Sequence, residues 1–223
     1  LLGYCMGGTL ATAIAASGRT EISSLVTLGA PWDLGGSRGV AKVLRAFWHA
    51  KPGAGLDHTL DTMGNTFGAI PVAFFQYLFA LINPMQAAVK FRKFADLDQD
   101  SPAAFNFAAI EDWLADGIPM TPPAAKDLLV SWFVDNALAT GTWRFLGAPV
   151  DPAAIRVPSL VICGVSDSIT PLSVAQPLGT AIPDAVTLQP HTGHVGMIVG
   201  KSARSMVWDP IAGFLHANVH RIT

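Results

Sequence analysis

The sequence predicts an α/β fold carrying a largely helical insertion, on three observations. A short apolar run, "LLGYC", turns at a glycine-flanked cysteine into the alanine-rich "MGGTLATAIAAS". A second β-branched and leucine run, "SSLVTLGAPWDL", follows almost at once, so strand, helix and strand alternate. The same grammar returns near Pro149, after a long stretch with little sign of strands.

Taken in order, the first run suits the end of a buried strand, and the helix after it is expected to stop at Gly18, a plausible left-handed cap. The second strand runs out at Gly29, Pro31 and Asp33. From Gly35 to about Asn136 the chain is aromatic-rich and helical, broken by glycines and prolines. "VPSLVICGVSDSITP" then reads as an apolar strand ending in Gly, Ser and Asp, and "AVTLQPHTGHVGMIVG" as a strand ending at histidines. "SMVWDPIAGFLHANV" closes the chain as a helix that Pro210 starts or kinks. These assignments divide the chain into 1–34, the nucleophile turn and following strand; 35–148, a helical cap insertion; and 149–223, the remaining α/β core.

With 223 residues, 51% hydrophobic and 13% charged, the chain can bury a sizeable core, and disorder is excluded. A net charge of -2 gives no basic footprint for a phosphate backbone, so nucleic acid is not an expected partner. Cys5 and Cys163 both lie in apolar segments rather than in a disulfide framework, which favours a reducing, cytoplasmic compartment. The longest apolar stretch, Phe67 to Ile82, is interrupted by Gly68, Pro71 and Gln76, short of the roughly 18 unbroken residues of a spanning helix.

Gly3-Tyr4-Cys5-Met6-Gly7 has the form of a nucleophile elbow, in which the reactive residue sits on a tight strand-to-helix turn above the sheet. The turn is expected to crowd the residues two before and two after the nucleophile, so that Gly3 and Gly7 must lack side chains, with Gly8 adding room for packing. The helix N-terminus favours a thiolate at Cys5, and the Met6 N–H is placed to donate to an oxyanion. A packed core cysteine is the plainer alternative for the motif taken alone.

The rest of the chain bears on that choice, because in α/β-hydrolase folds the acid and histidine follow the nucleophile at later strand ends. Asp167 follows "SLVICG", and His194 follows "VTLQP". Asp33 is the rival acid, and Asp167 is preferred because "DSITP" resembles the usual turn after the penultimate strand. His191 is the rival base, and His194 is preferred for its flexible neighbours Gly193 and Val195-Gly196. Cys163 reads as a packed thiol. No metal site is expected.

At these residues the chain resembles the polyhydroxyalkanoate synthases, an α/β-hydrolase group whose lipase-like box carries cysteine in place of serine. "GYCMGGTL" matches the box, "VTLGAPWDL" the following strand, "AIEDWLADGIPM" and "DLLVSWFVDNAL" cap segments, and "GVSDSITP" and "GHVGMIV" the acid and histidine motifs. The resemblance implies an α/β-hydrolase fold, seen here from the nucleophile strand onward. It makes Cys5 the acyl-accepting nucleophile, His194 the general base and Asp167 the residue that orients it. The implied substrate is (R)-3-hydroxyacyl-CoA, with coenzyme A entering as a thioester substrate and no cofactor. The implied partners are the growing polyester chain or its granule surface, and a second copy or a second synthase subunit.

Other readings of the same residues are an acyl-CoA thioesterase or polyester depolymerase, and a non-catalytic granule surface protein. The aromatic stretch around Phe74, Phe75, Tyr77 and Phe79 suits a cap that excludes water, or more plainly a buried helix. Lys90-Phe91-Arg92-Lys93 could meet coenzyme A phosphates, or more plainly form a solvated helix face. By resemblance, several strands and a loop holding the second oxyanion donor precede the elbow, so the chain is expected to be a fragment, weakly active or unfolded alone. Losing one such donor costs about 2.7–4 kcal/mol in the transition state.

Overall fold

The computed structural model describes residues 1–36, 41, 44–46, 55–82 and 85–218. The chain divides into two compact units, Leu1–Ala41 with Ser131–Thr223, and Lys42–Val130.

The first unit is built on a four-stranded sheet. Strand β1 (Leu2–Tyr4) leads through Cys5 into helix α1 (Met6–Ser17), and β2 (Leu25–Leu28) follows. Alanine carries α1, and Gly18 ends it in the left-handed conformation, φ 61°, with its N–H donating to Ala15, as the sequence predicts. Strands β1 and β2 pair in parallel, Leu2 beside Val26 and Tyr4 beside Leu28. All four residues of β2 are buried, because helices cover both faces of a parallel sheet.

The inserted unit contains α2 (Leu56–Phe67), α3 (Val72–Ile82), α4 (Gln86–Ala95), α5 (Pro102–Ala115) and α6 (Pro122–Lys126). An antiparallel bridge between Ile70 and Met120 fastens it, with backbone bonds of 2.8 and 3.1 Å. Gly64 lies so close to Pro122 that a Cβ there would fall 2.5 Å from the proline ring. Lys126 reaches Asp57 at 2.9 Å and Asp61 at 2.7 Å. In α3, Leu78 is buried while Tyr77 and Phe79 stand more than half exposed. The fully buried helix suggested by composition does not form, since a helix apolar on every side must leave some side chains outward when it packs on one face.

The chain leaves the insertion through a π-helical segment, Asp127–Val134. Residues 131–148, expected in the insertion, belong to the first unit. There Trp132 packs edge-on against Trp143, ring centroids 5.0 Å apart, and Asn136 is tied to the loop after β2. A hairpin, β3 (Arg144–Phe145) with β4 (Ala148–Pro149), turns at Leu146 and Gly147, both at positive φ. That is the sign pattern of a type I′ turn, and Leu-Gly is a far weaker sequence cue for it than Asn-Gly.

Strand β5 (Ser159–Ile162) pairs in parallel with β2, helix α7 (Leu172–Ala181) follows, and β6 (Val186–Leu188) pairs with β5, giving the sheet order β1-β2-β5-β6. Short helix α8 (Gly196–Val199), a π-helical turn at Arg204–Trp208 and α9 (Asp209–Asn218) complete the described residues. Asp209 and Pro210 begin α9. One face of the sheet forms the core with this C-terminal region: Val26, Leu28, Leu160 and Ile162 pack with Met197, Val207 and Ile211.

Candidate active site

Cys5 sits at the corner between β1 and α1 with φ 53° and ψ -128°, a conformation that L-residues rarely adopt. The corner is held from both sides. The Cys5 amide donates to the Leu28 carbonyl at 2.8 Å, and the Cys5 carbonyl accepts from Gly8 N–H at 2.9 Å. Met6, first in the helix, has an N–H without an intrahelical acceptor.

The glycines around the corner do not all serve as expected. A Cβ on Gly3 would lie 2.6 Å from the Gly8 Cα, against backbone that cannot yield. A Cβ on Gly8 would lie 2.7 Å from the Ala30 Cβ. A Cβ on Gly7 would meet nothing within 4 Å. The steric demand thus falls on Gly3 and Gly8, because the strand crosses over the backbone of the helix's first turn while the Gly7 side-chain direction points to open space.

Asp167 and His194 come from the loops after β5 and β6. These loops bind each other: Val165 N–H donates to Pro190 O at 2.9 Å, and Ser166 N–H to Thr192 O at 3.1 Å. Gly164 permits the approach, since its Cβ would lie 2.6 Å from the Thr192 carbonyl oxygen. Asp167, 4% exposed, accepts on Oδ1 from the amides of Ile169 and Thr170, both at 2.8 Å. Its Oδ2 lies 2.6 Å from His194 Nδ1. A carboxylate this close makes Nδ1 the protonated nitrogen and turns Nε2 away from the acid.

His194 is itself buried. Burial works against its charge, but the hydrogen bond with Asp167 and the nearness of Cys5 more than offset that, raising its pKa from 6.5 to about 9. The Tyr4 ring lies against the imidazole, centroids 4.8 Å apart and tilted by 34°. Burial, Cys5 and Asp167 together push the Tyr4 phenol well above its usual range. Gly29, at φ 54°, supplies the remaining space, as a Cβ there would lie 3.1 Å from His194 Nδ1.

The structure thus brings Cys5, Asp167 and His194 into one cluster and leaves their rivals outside it. Asp33 is engaged elsewhere, its Oδ1 accepting from Gly35 N–H at 2.8 Å and from Asn136 Nδ2 at 2.9 Å. His191 is exposed. Cys163 is fully buried just past the end of β5, and burial with the nearby Asp167 pushes its thiol up to about 11. Lys90 pairs with Glu111 at 2.5 Å, so that part of the basic run is neutralised within the inserted unit. Three neighbours escape sequence reasoning: Tyr4, Gly29 and Thr170. Gly29 alone left a signal, a glycine just past a strand where close approach is common.

Among the described residues, no group of three or more His, Cys, Asp or Glu is arranged to hold a metal ion, and no helix is long and apolar enough to cross a membrane.

With this geometry established, residues 1–201 match the family model of the alpha/beta hydrolase fold. The chain is 28% identical over 215 residues to the poly(3-hydroxyalkanoate) polymerase subunit PhaC of Haloarcula marismortui, covering 95% of this chain and 44% of that protein. It is 28% identical over 216 residues to the PhaC of Haloferax mediterranei, covering 95% of this chain and 42% of that protein. The chain therefore spans less than half the length of these relatives. Among solved structures, a lipase in its open form matches with a TM-score of 0.60 at 15% identity, over 99% of this chain and 65% of that one, a likeness of fold alone.

Proposed function

The chain belongs to the alpha/beta hydrolase fold family, and from that premise we propose that it performs the acyl-transfer step of a polyhydroxyalkanoate synthase, with Cys5 as nucleophile. The observation that carries the reading is the 2.6 Å hydrogen bond of His194 Nδ1 to Asp167, with Cys5 near enough to help raise the imidazole pKa. An imidazole oriented by a buried carboxylate beside a cysteine is the arrangement that activates a cysteine nucleophile. The choice of substrate rests on likeness to the two poly(3-hydroxyalkanoate) polymerase subunits, along nearly all of this chain.

The steps balance as follows. Cys5 thiolate attacks the acyl carbon of a 3-hydroxyacyl-CoA, the carbon–sulfur bond to coenzyme A breaks, and His194 gives its proton to the departing thiolate. One thioester replaces another, so loading is nearly thermoneutral and the acyl group stays activated. In this reading the Met6 N–H, at the first position of α1, donates to the oxyanion that forms on the way. Having given up its proton to coenzyme A, His194 is left as the neutral imidazole. In that form His194 takes the proton of an incoming unit's 3-hydroxyl, whose oxygen attacks the Cys5 thioester. The ester forms, and Cys5 leaves as thiolate beside a renewed imidazolium.

The test incubates the protein with (R)-3-hydroxybutyryl-CoA and follows free coenzyme A, polymer and intact mass. Expected are an acyl adduct on Cys5, absent in Cys5→Ala, and insoluble polyester. Soluble 3-hydroxybutyrate in place of polymer would assign a thioesterase. Coenzyme A release that persists in Cys5→Ala would remove the nucleophile from this site.

A further inference from the structure

Thr170 is buried at the centre of the acid–histidine pair without belonging to the recognisable motif of nucleophile, base and acid. Its hydroxyl lies 2.8 Å from Asp167 Oδ2, 3.2 Å from His194 Nδ1 and 3.0 Å from the Gly29 carbonyl oxygen, which is 141 residues away in the chain. A threonine hydroxyl has one hydrogen and two lone pairs. Since the imidazole gives its Nδ1 hydrogen to Asp167, the hydroxyl hydrogen has two acceptors within reach, the carboxylate and the Gly29 carbonyl.

An aspartate carboxylate turns easily about its last torsion, which has a broad, two-fold profile. What fixes it here is an unequal set of donors: two backbone amides on Oδ1, and the imidazole and the Thr170 hydroxyl on Oδ2. The amides come with the local turn. The hydroxyl is the one of these contacts that also reaches the loop after β2, where Gly29 makes room for the imidazole. A residue needed only to fill this buried space could be valine.

We propose that Thr170 is a positioning residue, whose single hydroxyl hydrogen, shared between Asp167 Oδ2 and the Gly29 carbonyl oxygen, holds Oδ2 toward His194. It acts through Asp167 and His194 rather than on substrate. The inference rests on the reading of His194 as the base.

The test compares Thr170→Val, which keeps the branched shape and removes the hydroxyl, with Thr170→Ser, which keeps the hydroxyl. Two readouts are used: coenzyme A release from (R)-3-hydroxybutyryl-CoA, split into kcat and KM, and the downfield proton resonance of His194 Nδ1–H, identified by its loss in His194→Gln. Thr170→Val is expected to lower kcat roughly tenfold at unchanged KM, the upper range for one lost hydrogen bond, and to broaden the resonance. Thr170→Ser is expected to restore both. A Thr170→Val protein with wild-type kcat and a sharp resonance overturns the proposal, as does equal damage in both variants. Should Thr170→Val fail to fold, Thr170→Ala, which places no extra methyl against the Gly29 carbonyl, is held to the same outcomes. Turnover that survives in both Cys5→Ala and His194→Gln would overturn the functional reading, while the resonance still reports on Thr170.

Discussion

Gly29 and His194 share a space that a single methyl group would fill: a Cβ on the glycine would lie 3.1 Å from both Nδ1 and Cε1 of the imidazole. Gly29 also holds φ 54°, which costs an L-residue roughly 1–2 kcal/mol. Gly29→Ala should therefore displace the imidazole, lowering kcat at least tenfold with a loss of only a few degrees in thermal midpoint. An alanine variant with unchanged turnover would show that the imidazole has room to spare.

The elbow glycines should separate cleanly. Gly3→Ala drives a methyl group into the backbone of Gly7 and Gly8, and is expected to destabilise by about 3 kcal/mol or more. Gly7→Ala meets open space in the first turn of α1, and should be neutral or stabilising by up to about 1 kcal/mol. Denaturant unfolding of the two variants measures the difference, and similar losses in both would contradict the asymmetry.

Cys5 itself is held at φ 53° and ψ -128°. Strain of this kind costs of order 1–3 kcal/mol at a non-glycine residue. Cys5→Gly should then unfold at a higher temperature than Cys5→Ala, by roughly 2–4 °C for each kcal/mol relieved in a chain of this size. A Cys5→Gly midpoint at or below that of Cys5→Ala would remove strain from the account of the corner.

The His194 pKa, raised from 6.5 to about 9, links the pair to stability. A raised folded-state pKa means that the imidazolium's contribution is fully present below about pH 6.5, declines above it, and is lost once pH passes about 9. The titratable groups facing the ring are Cys5, Asp167 and Tyr4. Asp167→Asn should flatten the fall in thermal midpoint across that window, whereas Asp33→Asn, whose carboxylate serves Gly35 and Asn136, should leave its shape unchanged. Equal effects of the two substitutions would dissociate the pH dependence from His194.

What could be read from the sequence followed from local chemistry. β1, β2, β5 and β6 show as apolar runs, Gly18 as a helix stop, and Cys5, Asp167 and His194 as polar residues just beyond strand ends. Properties set by distance in space were hidden. Whether Gly3 or Gly7 bears the steric load depends on which backbone crosses which. The engagement of Asp33 depends on Asn136, more than a hundred positions on. Thr170 looks like an ordinary turn residue until Gly29 is brought beside it. Residues 131–148 look helical and aromatic, as the insertion does, yet their tryptophans pack on each other and Asn136 ties them to Asp33 and Leu34.

The stitch between the loop after β2 and Asn136 bears on how the chain folds. Asn136 accepts from Leu34 N–H at 2.7 Å across 102 residues and donates to Asp33, while β2 must find β5 over a still longer interval. Closing loops of that length carries an entropic cost that slows non-local sheets. Within the inserted unit, the Ile70–Met120 bridge and the reach of Lys126 to Asp57 and Asp61 close loops of 50 to 69 residues. If it forms first, the search left to β2 and β5 is much shorter. Weakening it with Lys126→Ala should then slow refolding while leaving unfolding nearly unchanged, because the early-formed insertion shortens the chain that the sheet must close.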